Sequence, residues 1–400
     1  VYRLTSAIQN YAWGSPTAIP TLLGLDSTGA PVAEAWFGAH PSAPSHCERD
    51  DGVPGTPMPG VIAGDPTGVL GDDVEARFGA ALPYLLKVIA AETPLSLQVH
   101  PHIERARAGF AEEEAAGVPL DAPHRNYRDR NHKPELVYAL TRFEALCGFR
   151  APRRAAELLG GLDAPLAEDL RTMLAAQPSA TGIEAAFTRL LRPDTRPSAA
   201  EVEAVAVACA ARLATGSPSP RADRTVVTLQ AAYPGDPGVV TSLLLNPVTL
   251  QAGDALFVPA GGVHAYLKGL GVEIMASSDN VLRAGLTPKH VDVDELLRNV
   301  DYVAAPPIRI APEKFHGATR VYYAPVDDFE LSVTRVTDGQ AHPLPGRGPR
   351  VLLCLEGSMV ATSQHDGELR LTRGQAAFVP ASDGALLVRG AGTLVQADVP

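Results

Sequence analysis

The sequence predicts a mainly β protein interrupted by one helical insert, and three observations carry that prediction. Short apolar segments broken by Pro and Gly fill both ends of the chain, and a block rich in Ala, Leu, Glu and Arg with helical spacing lies between them. The third is a weak internal repeat in the second β part. At 400 residues there is room for two or three domains, each with a sizeable core.

The first β part is expected over residues 1–150, where PVAEAWFGAHPSAPS and LPYLLKVIAAETPLSLQVHP read as short strands with long connections. Helical spacing then runs from about Ala151 to Thr215, and Ser198 followed three residues later by Glu201 suggests a capping box. The linker-like TGSPSPRADR bounds this insert, placed at 151–224. Strand text resumes at TVVTLQAAYPGDPGVVTSLLLNPVTLQ, so the first β unit is expected to continue over 225–310, with a short helix in VDVDELLRNV. A last β unit takes 311–400. In the repeat, LQAGDALFVPAGGVHAYL parallels LTRGQAAFVPASDGALLV, each with a Gly followed after five residues by a Pro that ends an apolar strand. Two related small barrels or sandwiches account for such a pair better than one large sheet.

Charge narrows the function. Lys and Arg number 34 against 45 Asp and Glu, a net charge of −11, the wrong sign for binding a phosphate backbone or anionic lipid. No uncharged apolar run approaches the roughly 18 to 20 residues of a membrane span, and the opening VYRLTSAIQNYAWGSP lacks the pattern of a secretory signal. Cys47, Cys147, Cys209 and Cys354 are scattered without a CxxC pair, which argues against a disulfide framework or a thiolate zinc site. A soluble cytoplasmic protein acting on a small molecule is expected, without nucleic-acid or membrane partners and as a monomer.

Gly253, Pro259, Gly261 and His264 match the second half of the cupin metal motif, a resemblance to a jelly-roll metal site. In the later copy Gly374 and Pro380 remain, but Ser382 and Ala385 stand where Gly261 and His264 do, so that copy is expected to be metal-free. Upstream, side chains two apart on a strand share a face, so Gln98 and His100 in LSLQVHPHIER can meet one ion. His102 has the same parity, but Pro101 should disturb the strand beyond His100, which favours Gln98 with His100. Glu135 in NHKPELVYAL offers a further oxygen. Two nitrogens and two oxygens suit zinc, with manganese, iron or cobalt also compatible.

The segments YAWGS, AEAWFGAHPSAPS, LPYLLKVI, PLSLQVHP, NHKPE, PAGGVHAYL and GVEIMASSDNVLRAGLTPKHVDV, in that order, resemble the type I phosphomannose isomerases. The resemblance covers Tyr11 to about Asp294, departing at Ala35, where a larger apolar residue is common. It implies a cupin metal barrel, an all-helical subdomain and a second, degenerate cupin-like domain. It also implies one zinc ion on Gln98, His100, Glu135 and His264, and interconversion of mannose 6-phosphate and fructose 6-phosphate. Arg283 is implied to face the active site, with Glu273, Asp279, Lys133, His132 and Lys289 around it. Trp13, Lys87, Ser96 and Tyr266 fall in matching motifs as pocket residues.

Moving a proton between C2 and C1 through an enediol needs a base, charge stabilisation at the oxygens and a closed pocket. Arg283 hardly loses its proton, so it reads as a fixed cation, and the base is left open among Glu273, Asp279, Lys133 and His132. No GxxxxGK[ST] or GxGxxG loop is present, so a 6-phosphate would be held by scattered groups such as Lys87, Ser96, Lys289 and Arg283. For Lys87 a salt bridge to Glu34 is the competing assignment. An iron-dependent cupin oxygenase and a non-catalytic sugar-binding cupin are the rival functions.

Overall fold

The computed structural model describes residues 1–48, 55–365 and 367–400. Among these residues the chain forms two 11-stranded sheets and a helical region. One sheet is assembled on the long strand His264–Ala276. Its first half pairs with Phe143–Phe149 and, through His264, with Leu97–Val99, while its second half pairs with Tyr84–Ala91 and Glu135–Ala139. The change of neighbours comes at Gly269, whose φ is 137° and where a Cβ would lie 2.8 Å from Phe143 Cα. Only glycine fits such a close approach.

Period-two alternation then sorts the side chains of this sheet. Leu86, Val88, Leu136, Val272 and Ile274 enter a core shared with Leu331, Leu353, Phe378 and Val395 of the other sheet. Each such side chain contributes about 1.5–3 kcal/mol by leaving water. The intervening residues face the opposite way, which places Lys87, Glu135 and Glu273 on one inner surface, with Glu34 and Trp36 of the strand Glu34–Phe37 beside them. The site is therefore built on the back of the inter-sheet core.

The internal repeat is present as geometry. Gly253 and Gly374 both have positive φ (97° and 83°), each leads into a four-residue strand, and each strand is followed by a 13-residue strand, His264–Ala276 and Leu386–Asp398. The two long strands carry a positive-φ glycine at matching places, Gly269 and Gly390. In register, Glu135 faces Val258 and Arg350 faces Val379. In the second copy Arg350 and Ala385 thus stand where the first has Glu135 and His264. The buried Arg350 guanidinium donates to the carbonyls of Gly346 and Gly384, a fixed cation on a surface stripped of two ligand positions.

Three features differ from the sequence reading. TVVTLQAA is helix Pro220–Ala232 rather than strand, so the expected boundary at residue 224 falls inside a helix; Ala222, Val226 and Leu229 bury one helical face despite the β-branched run around them. Tyr2–Thr5 leaves the site sheet and pairs with Ala376–Val379 of the other, so residues 1–150 feed both sheets. Helix Ile103–Ala115 lies where only strands and connections were expected; it buries little beyond Ala106 and Gly109, which leaves a weak periodic signal. The Ser198–Glu201 capping box and a short helix at Val293–Asn299 are present as expected. The four cysteines are buried and unpaired, with burial pushing the Cys47 and Cys147 thiols up to about 12. Among the described residues no helix is long and apolar enough to cross a membrane.

Candidate metal centre

His100, Glu135 and His264 bring one ligand atom each to within 4.8 Å of one another, and all three are buried. Leu97–Val99 delivers His100 as it ends, Glu135 opens its strand directly after Pro134, and the PAGG turn releases His264 at the head of the central strand. His100 Nδ1 lies 2.8 Å from the Asn280 carbonyl oxygen and His264 Nδ1 3.0 Å from that of Gly262. A carbonyl only accepts, so both rings carry their proton on Nδ1 and present a lone pair on Nε2. Those nitrogens stand 3.1 and 3.4 Å from the two oxygens of Glu135.

The donor set fits a divalent cation. His100 Nε2 is buried and has no hydrogen-bond partner, although Glu135 is near. Burial, aided by the Lys133 charge, lowers His100 to about 4, so the imidazole is neutral at ordinary pH and free to donate electrons. Burial alone would raise Glu135, but His100 and Lys133 hold it well below the usual carboxylate range. Gln98 pairs in register with His264 on one side and Arg283 on the other, and its amide nitrogen reaches Ser96 Oγ at 3.3 Å. Two imidazoles with a carboxylate, without thiolate, match zinc. His102 lies outside this cluster: it occupies the N-cap position of helix Ile103–Ala115 and packs against Gly261, where a Cβ would come within 2.6 Å of its ring.

Charges surround the centre in two groups. On the inner sheet surface Lys87 Nζ lies 3.3 Å from Glu273 and 3.8 Å from Glu34, and Glu34 also accepts from Trp36 Nε1 at 2.7 Å. Lys87 thus makes the salt bridge to Glu34 and a shorter one to Glu273. Lys133 pairs with Glu135 at 3.4 Å, and the Tyr266 hydroxyl donates to the same carboxylate. With several carboxylates around these lysines, burial and the Glu135 charge raise Glu273 to about 7. Burial opposes the Asp279 carboxylate, yet His40 at 3.2 Å holds it below the usual range.

The second group is cationic. Burial and then Arg128 lower Arg283, while burial, Arg283 and Arg128 lower Lys289. Among the described residues no carboxylate is paired with these three. Arg283, Gln98 and His264 are neighbours across three strands, so Arg283 adjoins the metal cluster and Lys289 and Arg128 group around Arg283. Trp13 packs at the edge of the core containing Tyr266 and stacks on Tyr11 at 5.7 Å. His132 is drawn away: its Nε2 meets Asp328, in the bend before the strand Glu330–Val336 of the other sheet, at 2.9 Å. Sequence reasoning missed Trp36, His40, Arg128 and Asn280. Trp36 was available from the alternation in AEAW, whereas Asn280, which anchors the His100 ring and the loop at Asp129 and Asn131, depends on contacts 149 to 180 residues apart.

Comparison with known proteins agrees. Residues 1–152 match the catalytic-domain model of type I phosphomannose isomerase. The mannose-6-phosphate isomerase of Escherichia coli K12 is 38% identical over 98% of both chains, and that of Homo sapiens is 31% identical over 97% of this chain and 95% of its own. A zinc-bound crystal structure of a mannose 6-phosphate isomerase superposes with a TM-score of 0.89 at 37% identity, covering 99% of this chain and 98% of that one. A phosphomannose isomerase variant from Salmonella typhimurium gives the same TM-score, identity and coverage. This chain belongs to the type I phosphomannose isomerase family.

Proposed function

We propose that this protein is a zinc-dependent aldose–ketose isomerase that interconverts mannose 6-phosphate and fructose 6-phosphate. The observation that carries the proposal is the pairing of a buried His100–Glu135–His264 cluster, whose His100 Nε2 is unpartnered, with the adjoining uncompensated cations Arg283, Lys289 and Arg128. Gln98, His100, Glu135 and His264 would hold the ion, which when bound supplies Lewis-acid polarisation of the sugar carbonyl.

The remaining chemistry belongs to the chain. Arg283, fixed beside Gln98, stabilises negative charge on the sugar oxygens, and with Lys289 and Arg128 it is placed to take the 6-phosphate. Of the four candidate bases, His132 is tied to Asp328, Asp279 is held ionised by His40, and Lys133 is paired with Glu135. Glu273, raised to about 7, is suited to take and return the C1/C2 proton, with Lys87 holding its orientation. Trp13, Tyr266 and Ser96 shape the pocket. Lys87 orders Glu273 and Glu34 rather than reaching phosphate.

In this proposal the site sheet is a cupin jelly roll and the second sheet a degenerate copy. The catalytic unit takes 1–150 and 233–310, less the strands Tyr2–Thr5, His46–Glu48 and Thr56–Pro57; the helical insert runs from 151 past 224 to Ala232; and the final unit begins at 311. The enzyme works as a cytoplasmic monomer. The test is incubation of the purified protein with fructose 6-phosphate in deuterated water. Mannose 6-phosphate carrying deuterium at C2 supports the proposal, and absence of product from metal-replete protein rejects it.

A further inference from the structure

Away from the metal centre, a cavity of about 610 Å³ opens where the helical region meets the site sheet, with Arg150, Arg154, Ser219 and Asn246 in its wall. Its charge is one-sided. Arg150 Nε is buried without a hydrogen-bond partner, and among the described residues no carboxylate is paired with Arg150 or with the nearby Arg221. The one acid in the wall, Glu157, is engaged by Arg154 Nη1 at 2.8 Å. Burial, with Arg221 adding to it, pushes the Arg150 guanidinium down to about 10, as expected of a cation removed from water without a counter-charge. The rest of the wall is apolar, from Leu158, Pro218, Ala304 and Pro306.

An unpaired, half-buried guanidinium whose Nε is shut off from water is a net cost to the folded chain unless something else brings the negative charge. Arg150 also has no structural task that its charge performs: its backbone N–H bonds the Leu244 carbonyl, and the arginine side chain adds nothing to that contact. Packing alone would be better served by a Leu or Met. None of the wall residues takes part in the metal centre or its cation group.

We infer that this cavity is a second binding site, for a small phosphate-bearing molecule whose anionic group sits on Arg150 and Arg154 and whose uncharged body lies against Leu158, Ala304 and Pro306. It is independent of the isomerase proposal, because it is read from binding and not from turnover.

The experiment is isothermal titration of the zinc-loaded protein with pyrophosphate and with ADP, in wild type, R283Q and R150Q. The expected result is a site that is retained in R283Q, separate from any binding by the active-site cations, and that weakens at least tenfold in R150Q, with metal content and turnover of R150Q unchanged. Tighter binding of ADP than of pyrophosphate would mark use of the apolar wall, and equal binding would mark recognition of the phosphates alone. R150Q should also melt no lower than wild type without ligand, since it sheds an unpaired charge. Loss of all binding in R283Q, or undiminished binding in R150Q, overturns the inference. Should R150Q fail to fold, R154Q decides: weakened binding supports the site and unchanged binding refutes it.

Discussion

Replacing Lys87 with Met removes the one cation placed between Glu34 and Glu273. Its ammonium lies 3.3 Å from Glu273 and 3.8 Å from Glu34, and the three side chains are 6%, 3% and 9% exposed. At an effective dielectric of about 20, those separations correspond to attractions of about 5 and about 4 kcal/mol before desolvation is charged against them. Burial returns most of that, but stripping one partner from a buried pair still costs about 3–5 kcal/mol, because the remaining charge is left alone. Protonation limits the damage: Glu273 already titrates at about 7, and without Lys87 it rises further. A carboxyl whose folded pKa lies above its unfolded value stabilises the fold below the unfolded value, and that contribution is lost as pH rises through the folded one. The deficit of K87M should therefore be about 1 kcal/mol near pH 5.5 and grow to about 3 kcal/mol or more by pH 8.5. Urea unfolding at those two pH values measures it, and the double variant K87M/E273Q should recover much of the alkaline loss. A small deficit that does not change with pH would refute the reasoning.

R283Q should keep its metal, measured by elemental analysis, while kcat falls by about 100-fold or more, because a fixed charge over the reacting oxygens is gone. H132N should keep kcat within roughly tenfold of wild type, less than the about 100-fold loss expected on removing a general base, since its ring is held by Asp328. Burial raises Asp398 to about 7, and its cross-strand partner Glu330 likewise, so their stabilising protonation is complete below about 4 and lost through about 7. D398N should therefore gain on wild type by about 2–4 kcal/mol between pH 5 and pH 8 in denaturant unfolding.

Much of the site was legible because its residues sit in short local patterns. The Gly253–His264 motif has one workable geometry, a turn at the end of a four-residue strand, and the parity of Gln98 and His100 follows from strand pleat alone. At Pro101 the chain leaves the strand, which separates His100 in the cluster from His102 at the N-cap position of a helix. What could not be read depends on distant partners. Nothing around His132 announces Asp328, 196 residues away, and nothing in YRLT announces pairing with the C-terminal sheet. The Pro220–Ala232 helix was misread for a local reason: Thr225, Val226, Val227 and Thr228 favour strand individually, and packing of one face against the other helices overrides them.

The most direct test of the account is metal stoichiometry against turnover. The protein is stripped with chelator, titrated with zinc, and assayed for mannose 6-phosphate formation beside H264A. The expected result is no turnover in the stripped protein, full recovery as the ion approaches one equivalent per chain, and no recovery or tight zinc binding in H264A. Turnover that persists in the stripped protein, or a full equivalent of tightly held zinc in H264A, would contradict it.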